Sequence, residues 1–219
     1  MRRFTFIGVA LAGMMAAATA MAGNEVARYQ PGQDYKVIDK PVKRSASEPI
    51  RVREFFLYSC PHCFKFEPTL EKWIQTLGDD VVFDRSPVLF GSGAKTYARI
   101  YYTERQLGVL DQLHRKIFDA IHKQHRSLQS RGTIRAFFKQ HGVSGKRFKK
   151  AYDSQSVKQN VTQAEKRMRR FGVRAVPSLE VAGRYWVSGR AAGSNERMLK
   201  VAKYLIAKTR RARQSSESE

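Results

Sequence analysis

The sequence predicts an α/β fold made of two half-sheets, a βαβ unit and a ββα unit, with a block of helices inserted between them. Three observations predict it. An apolar run at residues 50–58 leads straight into a segment of helical period and then a second short apolar run. A further pair of short strands and a closing helix come only after residue 176. Between these halves, residues 91–171 keep helical spacing almost throughout.

Residues 1–22 read as a signal peptide. Arg2 and Arg3 form a short basic start, an apolar stretch of small residues follows, and Ala20-Met21-Ala22 is a cleavage site that puts Gly23 at the start of the mature chain. No cysteine follows that site, so a lipid anchor is not expected, and no later stretch approaches the ~20 apolar residues of a membrane span. The Ala-rich segment has a bacterial character, and export would deliver the chain to the periplasm. The formal charge of +22 falls to +20 once the two arginines leave.

The mature chain opens with an arm, residues 23–49, that is polar and broken by Pro31, Pro41 and Pro49, with one short strand expected at 35–38. Residues 50–58 (IRVREFFLY) form a strand whose apolar end suggests burial on both faces. Cys60-Pro61-His62-Cys63 follows, then a helix over 64–77 carrying Phe66, Leu70, Trp73 and Leu77, then a strand over 81–85. Apolar faces at Tyr97, Ile100, Tyr101 and Leu107, at Leu113, Ile117, Phe118 and Ile121, and at Ile134, Phe137 and Phe138 mark three helices, with breaks expected at Gly108, Gly132 and Gly142. A longer helix over 156–171 has Val157, Val161, Ala164, Met168 and Phe171 on one stripe and Gly172 at its end. Residues 177–187 turn at Gly183-Arg184 as a hairpin. Ser194 is the candidate N-cap of the final helix, beyond which 209–219 is a charged, frayed tail.

The chemistry lies in the two cysteines, which random placement would put three apart in about one case in a hundred. Both stand where a strand hands over to a helix. The free N–H groups and dipole of a helix N-terminus favour an anion, so Cys60, just ahead of the first turn, is expected to be an exposed thiolate of lowered pKa. Cys63, inside the first turn, is expected to be the less exposed resolving thiol. Pro61 fits the helix start because its missing N–H costs little there, and a protonated or donating His62 adds to the stabilisation. Stabilising the thiolate stabilises the reduced form, so the disulfide is an oxidant that passes to a substrate dithiol.

Other readings remain open on the residues alone. Haem attachment needs His directly after the second Cys, and residue 64 is Phe. His122 and His125 could complete a Cys2His2 zinc set, though far from Cys63 in sequence. A purely structural disulfide would close too small a loop to stabilise much. A reductase or isomerase, or a basic surface-binding module with non-catalytic thiols, uses the same motif.

Glu54-Phe55-Phe56, the CPHC tetrapeptide three residues later and the late Val176-Pro177 resemble the DsbA thiol:disulfide oxidoreductases of the Gram-negative periplasm, from about Val52 to the last helix. The resemblance implies a thioredoxin-like fold, residues 50–90 and 172–208, with residues 91–171 as its helical insertion. It implies that Cys60 and Cys63 are the nucleophilic and resolving thiols and that Val176 and a cis Pro177 receive an extended substrate chain. It implies that Glu54 is a buried acid beneath the pair, with Arg85 as its basic neighbour, and that Pro68 bends the cysteine-bearing helix. The implied enzyme is a dithiol oxidase with no cofactor beyond the Cys60–Cys63 disulfide. Reduced or unfolded exported polypeptides are its substrates, and a membrane reoxidising partner of DsbB type regenerates it. A monomer is expected, and no nucleic-acid partner, because export argues against one and no binding motif is present.

One feature departs from that family. Basic clusters at Lys146-Arg147-Lys149-Lys150, Arg167-Arg169-Arg170 and Arg210-Arg211-Arg213 make the chain unusually cationic. Solvated helix faces account for them, and attraction to an anionic membrane surface or acidic clients is the sharper reading.

Overall fold

β2 (Ile50–Phe56) is the strand on which the rest is organised. The computed structural model describes residues 29–42 and 44–217; the expected signal peptide and its cleavage site lie outside the described residues. β2 pairs in parallel with β3 (Val81–Pro87) on one side and antiparallel with β4 (Ser178–Val181) on the other. β4 continues through a hairpin into β5 (Tyr185–Ser188), and β1 (Lys36–Val37) closes that edge, giving a five-stranded mixed sheet of order β1-β5-β4-β2-β3. The three-residue hairpin loop pivots on Ala182 and Gly183, both at positive φ, and the Arg184 amide closes it by donating to the Val181 carbonyl at 3.1 Å.

Side chains alternate along β2 and feed separate cores. Ile50 and Val52 join Phe66, Leu70, Leu179 and Leu205. Phe56 enters the helical domain's core, and Phe55, on the other face, meets Phe171 and Val173. Against the first of these cores lies α1 (Pro61–Ile74), which buries Cys63, Phe66, Glu67 and Leu70 at helical spacing. Burying a side chain such as Leu70 contributes about 1.5–3 kcal/mol.

The inserted domain consists of α2 (Ala94–Leu107), α3 (Leu110–His122), α4 (Arg131–Gln140), α5 (Gly145–Tyr152) and α6 (Gln155–Arg170). Ser130, Ser144 and Ser154 cap α4, α5 and α6 through their side-chain oxygens. Gly132 lies inside α4 instead of breaking it; the capping serine two residues earlier sets the start. After the sheet's hairpin come the short α7 (Gly189–Ala192) and α8 (Asn195–Glu217). The Ser194 side chain accepts the Arg197 amide at 3.0 Å, as its N-cap assignment requires.

Four local expectations are corrected. α1 begins at Pro61 and ends at Ile74, because proline is tolerated in a first helical turn and the chain turns at Gln75. β3 runs two residues further than expected, since its pairing with β2 continues to Phe56↔Pro87. The arm's expected short strand is present as β1, but the arm is packed and not merely extended, since Tyr29, Tyr35 and Ile38 are buried. The tail is helical to Glu217. Arg210 bridges Asp80 at 2.6 Å, and Arg213 donates to the Glu48 carbonyl at 2.6 Å, so its charges are tied to the body of the fold.

Candidate active site

Cys60 is the N-cap of α1, with extended backbone angles of φ −83° and ψ 116°. Its Sγ accepts the Cys63 amide at 3.4 Å, and its carbonyl accepts the Phe64 amide at 3.1 Å. The sulfur therefore sits in the ring of free N–H groups that a helix start presents. Cys60 is half-buried and Cys63 wholly buried, and both are free thiols. Hydrogen bonding from Cys63, with smaller contributions from the backbone and charge of His62, pulls the Cys60 thiol down to about 6 against the opposing effect of burial. Burial pushes Cys63 well up, and the Cys60 and Glu54 charges add to it. One sulfur is thus prepared as an anion and the other as a thiol.

The Cys60 thiol points at the Val176 carbonyl, 3.9 Å away, and the Val176–Pro177 bond is cis. A groove of about 410 Å³, lined by His62, Val176, Pro177, Gly189, Arg190 and Asn195, runs beside them. His62 is exposed at its rim, and Pro61, its neighbour in the chain, is exposed as well. The Val176 backbone edge next to the sulfur is suited to an extended polypeptide.

Beneath the pair, the β2–β3 register sets Glu54 against Arg85. Arg85 Nε donates to Glu54 at 3.1 Å and its Nη2 to Glu67 at 2.5 Å. Both carboxylates are wholly buried. Burial, then the Glu67 charge, pushes Glu54 up to about 8 in spite of Arg85. Glu67 moves the other way: burial pushes it up, but the facing His114 side chain and the Arg85 and Arg115 charges outweigh that and hold it down. Glu54 is therefore not a strand-edge charge but half of a carboxylate pair sharing one guanidinium.

Cys60, Cys63, His62, Pro61, Glu54, Val176 and Pro177, all expected at the site, are brought together at one end of α1, with Arg85 beneath. Glu67, Tyr58, His114 and Glu104 were not anticipated. Glu67 stands four residues after Cys63, on the same helix face; Glu104 and His114 interrupt apolar stripes, and a charge within such a stripe was the available signal. His122 turns its Nε2 to the Tyr58 carbonyl at 2.8 Å and stacks on Phe64 at 4.8 Å, and among the described residues no group of three potential ligands is gathered that could hold a metal.

The basic clusters are divided in use. Lys146, Arg147, Lys149 and Lys150 surround buried Phe148 on the exposed face of α5, whereas Arg167 donates to Tyr102 and Ser86, and Arg169 pairs with Glu165. No helix among the described residues is long and apolar enough to cross a membrane.

Comparison with known proteins agrees with this geometry. The family model of the DSBA-like thioredoxin domain matches residues 51–205. The thiol:disulfide interchange protein DsbA of Pseudomonas aeruginosa is 36% identical over 184 residues, 84% of this chain and 87% of its own length. That of Azotobacter vinelandii is 34% identical over 212 residues, 96% and 99% of the two chains. Among solved structures, the P. aeruginosa DsbA crystal structure superposes with a TM-score of 0.80 at 36% identity, over 85% of this chain and 97% of that one. The DsbA oxidoreductase of Xylella fastidiosa gives 0.77 at 29% identity, over 83% and 98%.

Proposed function

The chain belongs to the family of DSBA-like thioredoxin domains, and from that premise we propose that it is a thiol:disulfide oxidoreductase that donates the Cys60–Cys63 disulfide to reduced polypeptides in the periplasm. The observation that carries the reading is the opposed preparation of the two sulfurs, Cys60 lowered to about 6 and Cys63 raised. A reduced pair that holds one sulfur as a stabilised anion is the favoured state, so the disulfide is the oxidant.

In the oxidised protein a substrate thiolate attacks the exposed Cys60 sulfur. The Cys60–Cys63 bond breaks, a substrate–Cys60 disulfide forms, and Cys63 leaves as a thiolate that takes up a proton. A second substrate thiolate attacks the substrate sulfur of that mixed disulfide and releases Cys60 as a thiolate. The substrate dithiol has lost two electrons and the protein pair has gained them. Cys63 keeps one proton, and the other goes to solvent above the Cys60 pKa.

Val176 and Pro177 hold the substrate backbone beside Cys60, and Glu54 exchanges the proton that Cys63 takes or gives. The electrons rest in the sulfur pair itself, so no further cofactor is needed. Regeneration falls to a membrane oxidant of DsbB type, acting in the reverse direction. Equilibration with glutathione tests the direction of transfer: a pair far more oxidising than the glutathione couple supports the oxidase, and a reducing pair supports the reductase or isomerase.

A further inference from the structure

Beyond Glu67 the buried polar groups do not stop. His114 on α3 places Nε2 3.4 Å from Glu67 Oε1, within reach but short of a well-formed hydrogen bond. Its Nδ1 is 2.6 Å from the Tyr58 hydroxyl, which in turn lies 2.9 and 3.0 Å from the two carboxyl oxygens of Glu104 on α2. Tyr58 and Glu104 are wholly buried, and His114 is nearly so. The Tyr58 hydroxyl has one proton and two neighbours, so the proton positions can be counted.

Suppose Glu104 is ionised. It accepts the Tyr58 proton, and His114 Nδ1 must then donate to the Tyr58 oxygen. That leaves a neutral His114 with a bare Nε2 lone pair against the Glu67 carboxylate. Adding a proton there requires a buried imidazolium, and burial, the largest influence on this group, holds the His114 pKa down. Suppose instead Glu104 is protonated. It donates to Tyr58, Tyr58 donates to Nδ1, and Nε2–H of a neutral imidazole faces Glu67. Every donor then meets an acceptor.

We propose that Glu104 is held protonated at the head of a one-way hydrogen-bond chain, Glu104 to Tyr58 to His114 to Glu67, which keeps Glu67 a carboxylate and leaves Glu54 as the carboxyl that exchanges protons beneath the cysteines. Glu104 is a positioning residue, acting through Tyr58 and His114. The charged and titratable groups facing this chain are few. Arg85 of β3 lies on Glu67 and its charge also bears on Glu104 against the effect of burial, Glu54 of β2 and Glu71 of α1 face Glu67, Arg115 of α3 bears on His114 and Glu67, and Tyr101 of α2 flanks Tyr58. On the elements packed against α2, Asp84 of β3 is taken up by Arg51, Arg53 and Arg105, Arg167 of α6 by Tyr102, and Asp153 beyond α5 by Arg99 and Arg131. The assignment of the exchanging carboxyl rests on the proposed oxidase reading, whereas the proton on Glu104 does not.

The test is chemical denaturation of wild type and Glu104→Gln across pH 5.5–8. Unfolding lets Glu104 ionise above the ordinary value of about 4.3. A carboxyl raised in the fold contributes stability that is full below the unfolded value and is lost as pH rises. The wild type therefore loses folding equilibrium relative to Glu104→Gln about tenfold per pH unit. Curves that stay parallel overturn the proposal, whatever the enzyme's activity. Infrared spectroscopy of the folded proteins in heavy water gives a second reading at neutral pH: Glu54, raised to about 8, gives both proteins a carboxylic acid carbonyl band, and a further carboxylic acid component present in wild type and missing from Glu104→Gln supports the proposal, whereas identical spectra contradict it. Tyr58→Phe cuts the chain without emptying the core. It should move the inflection near pH 8 in the exchange rate downward, because the proton can then rest on Glu67, while Glu104→Gln keeps the wild-type profile. Equal profiles for Tyr58→Phe and wild type remove the positioning role.

Discussion

The Cys63 amide donates to the Cys60 sulfur across 3.4 Å, while the Cys63 side chain itself is wholly buried. One residue thus supplies the hydrogen bond that stabilises its neighbour's thiolate and the protected sulfur that resolves the reaction. The two thiols should fail differently. Cys60→Ser abolishes oxidation of a reduced test protein, because no exposed sulfur is left to attack. In Cys63→Ser the Cys60 thiolate attacks a test protein supplied as a mixed disulfide with a small aromatic thiol, expels that thiol and stays joined to the protein, because no second thiol is left to resolve the bond. Gel analysis under non-reducing conditions separates the outcomes: adducts on Cys63→Ser and none on Cys60→Ser. Adducts on neither would place the nucleophile elsewhere.

Glu54 carries the pH dependence of proton exchange. Its carboxyl is raised to about 8 by burial and by Glu67, with Arg85 opposing. Glu54→Gln should remove an inflection near pH 8 from the rate at which Cys63 attacks the mixed disulfide. It should also remove a stability slope. A raised carboxyl stabilises the fold fully below its unfolded pKa and loses that contribution as pH rises through the folded one. Stopped-flow rates and denaturation across pH 5–9 check both; an unchanged profile in the variant contradicts the role.

Arg85 is the sole guanidinium bonded to Glu54 and Glu67 among the described residues. Arg85→Met keeps most of the volume and leaves two buried carboxyls without their cation. Breaking a buried pair this way costs about 3–5 kcal/mol. The loss should be larger at pH 8 than at pH 5, since at the lower pH the orphaned carboxyls can take up protons. Urea unfolding at the two values measures it.

The extended end of α8 is a smaller effect. Truncation after Lys208 removes the exposed Arg210–Asp80 pair and the Arg213 bonds to the Ala46 and Glu48 carbonyls. Exposed pairs contribute at most about 1 kcal/mol, so the truncated chain should fold and oxidise substrates, with a slightly lower Tm. Loss of folding would mean the helix end matters more than its contacts suggest.

The parts of this protein legible in the sequence are those written in local pattern. The apolar run along 50–58 and the spacing of Phe66 and Leu70 marked the central strand and α1, and Cys60 at a strand-to-helix junction marked its place ahead of the first turn. Glu54 and Val176-Pro177 came from the family resemblance, since no local pattern sets a strand residue and a loop against a helix start. The buried chain below was missed because its members are far apart in sequence. Tyr58 meets Glu104 and His114 only after α2 and α3 fold onto the sheet, and periodicity counts apolar residues without asking what an intervening charge touches. The helical tail escaped for the same reason: its order comes from Asp80 and from the carbonyls near residue 48, not from its own composition.

The acidity of one sulfur tests the account most directly. Ultraviolet absorbance of the thiolate, followed through a pH titration of the fully reduced protein with Cys60→Ser as the blank, should give a midpoint near 6 that vanishes in the blank. A midpoint near the free-cysteine value of about 8.5 would contradict it, since the helix start would then be holding an ordinary thiol.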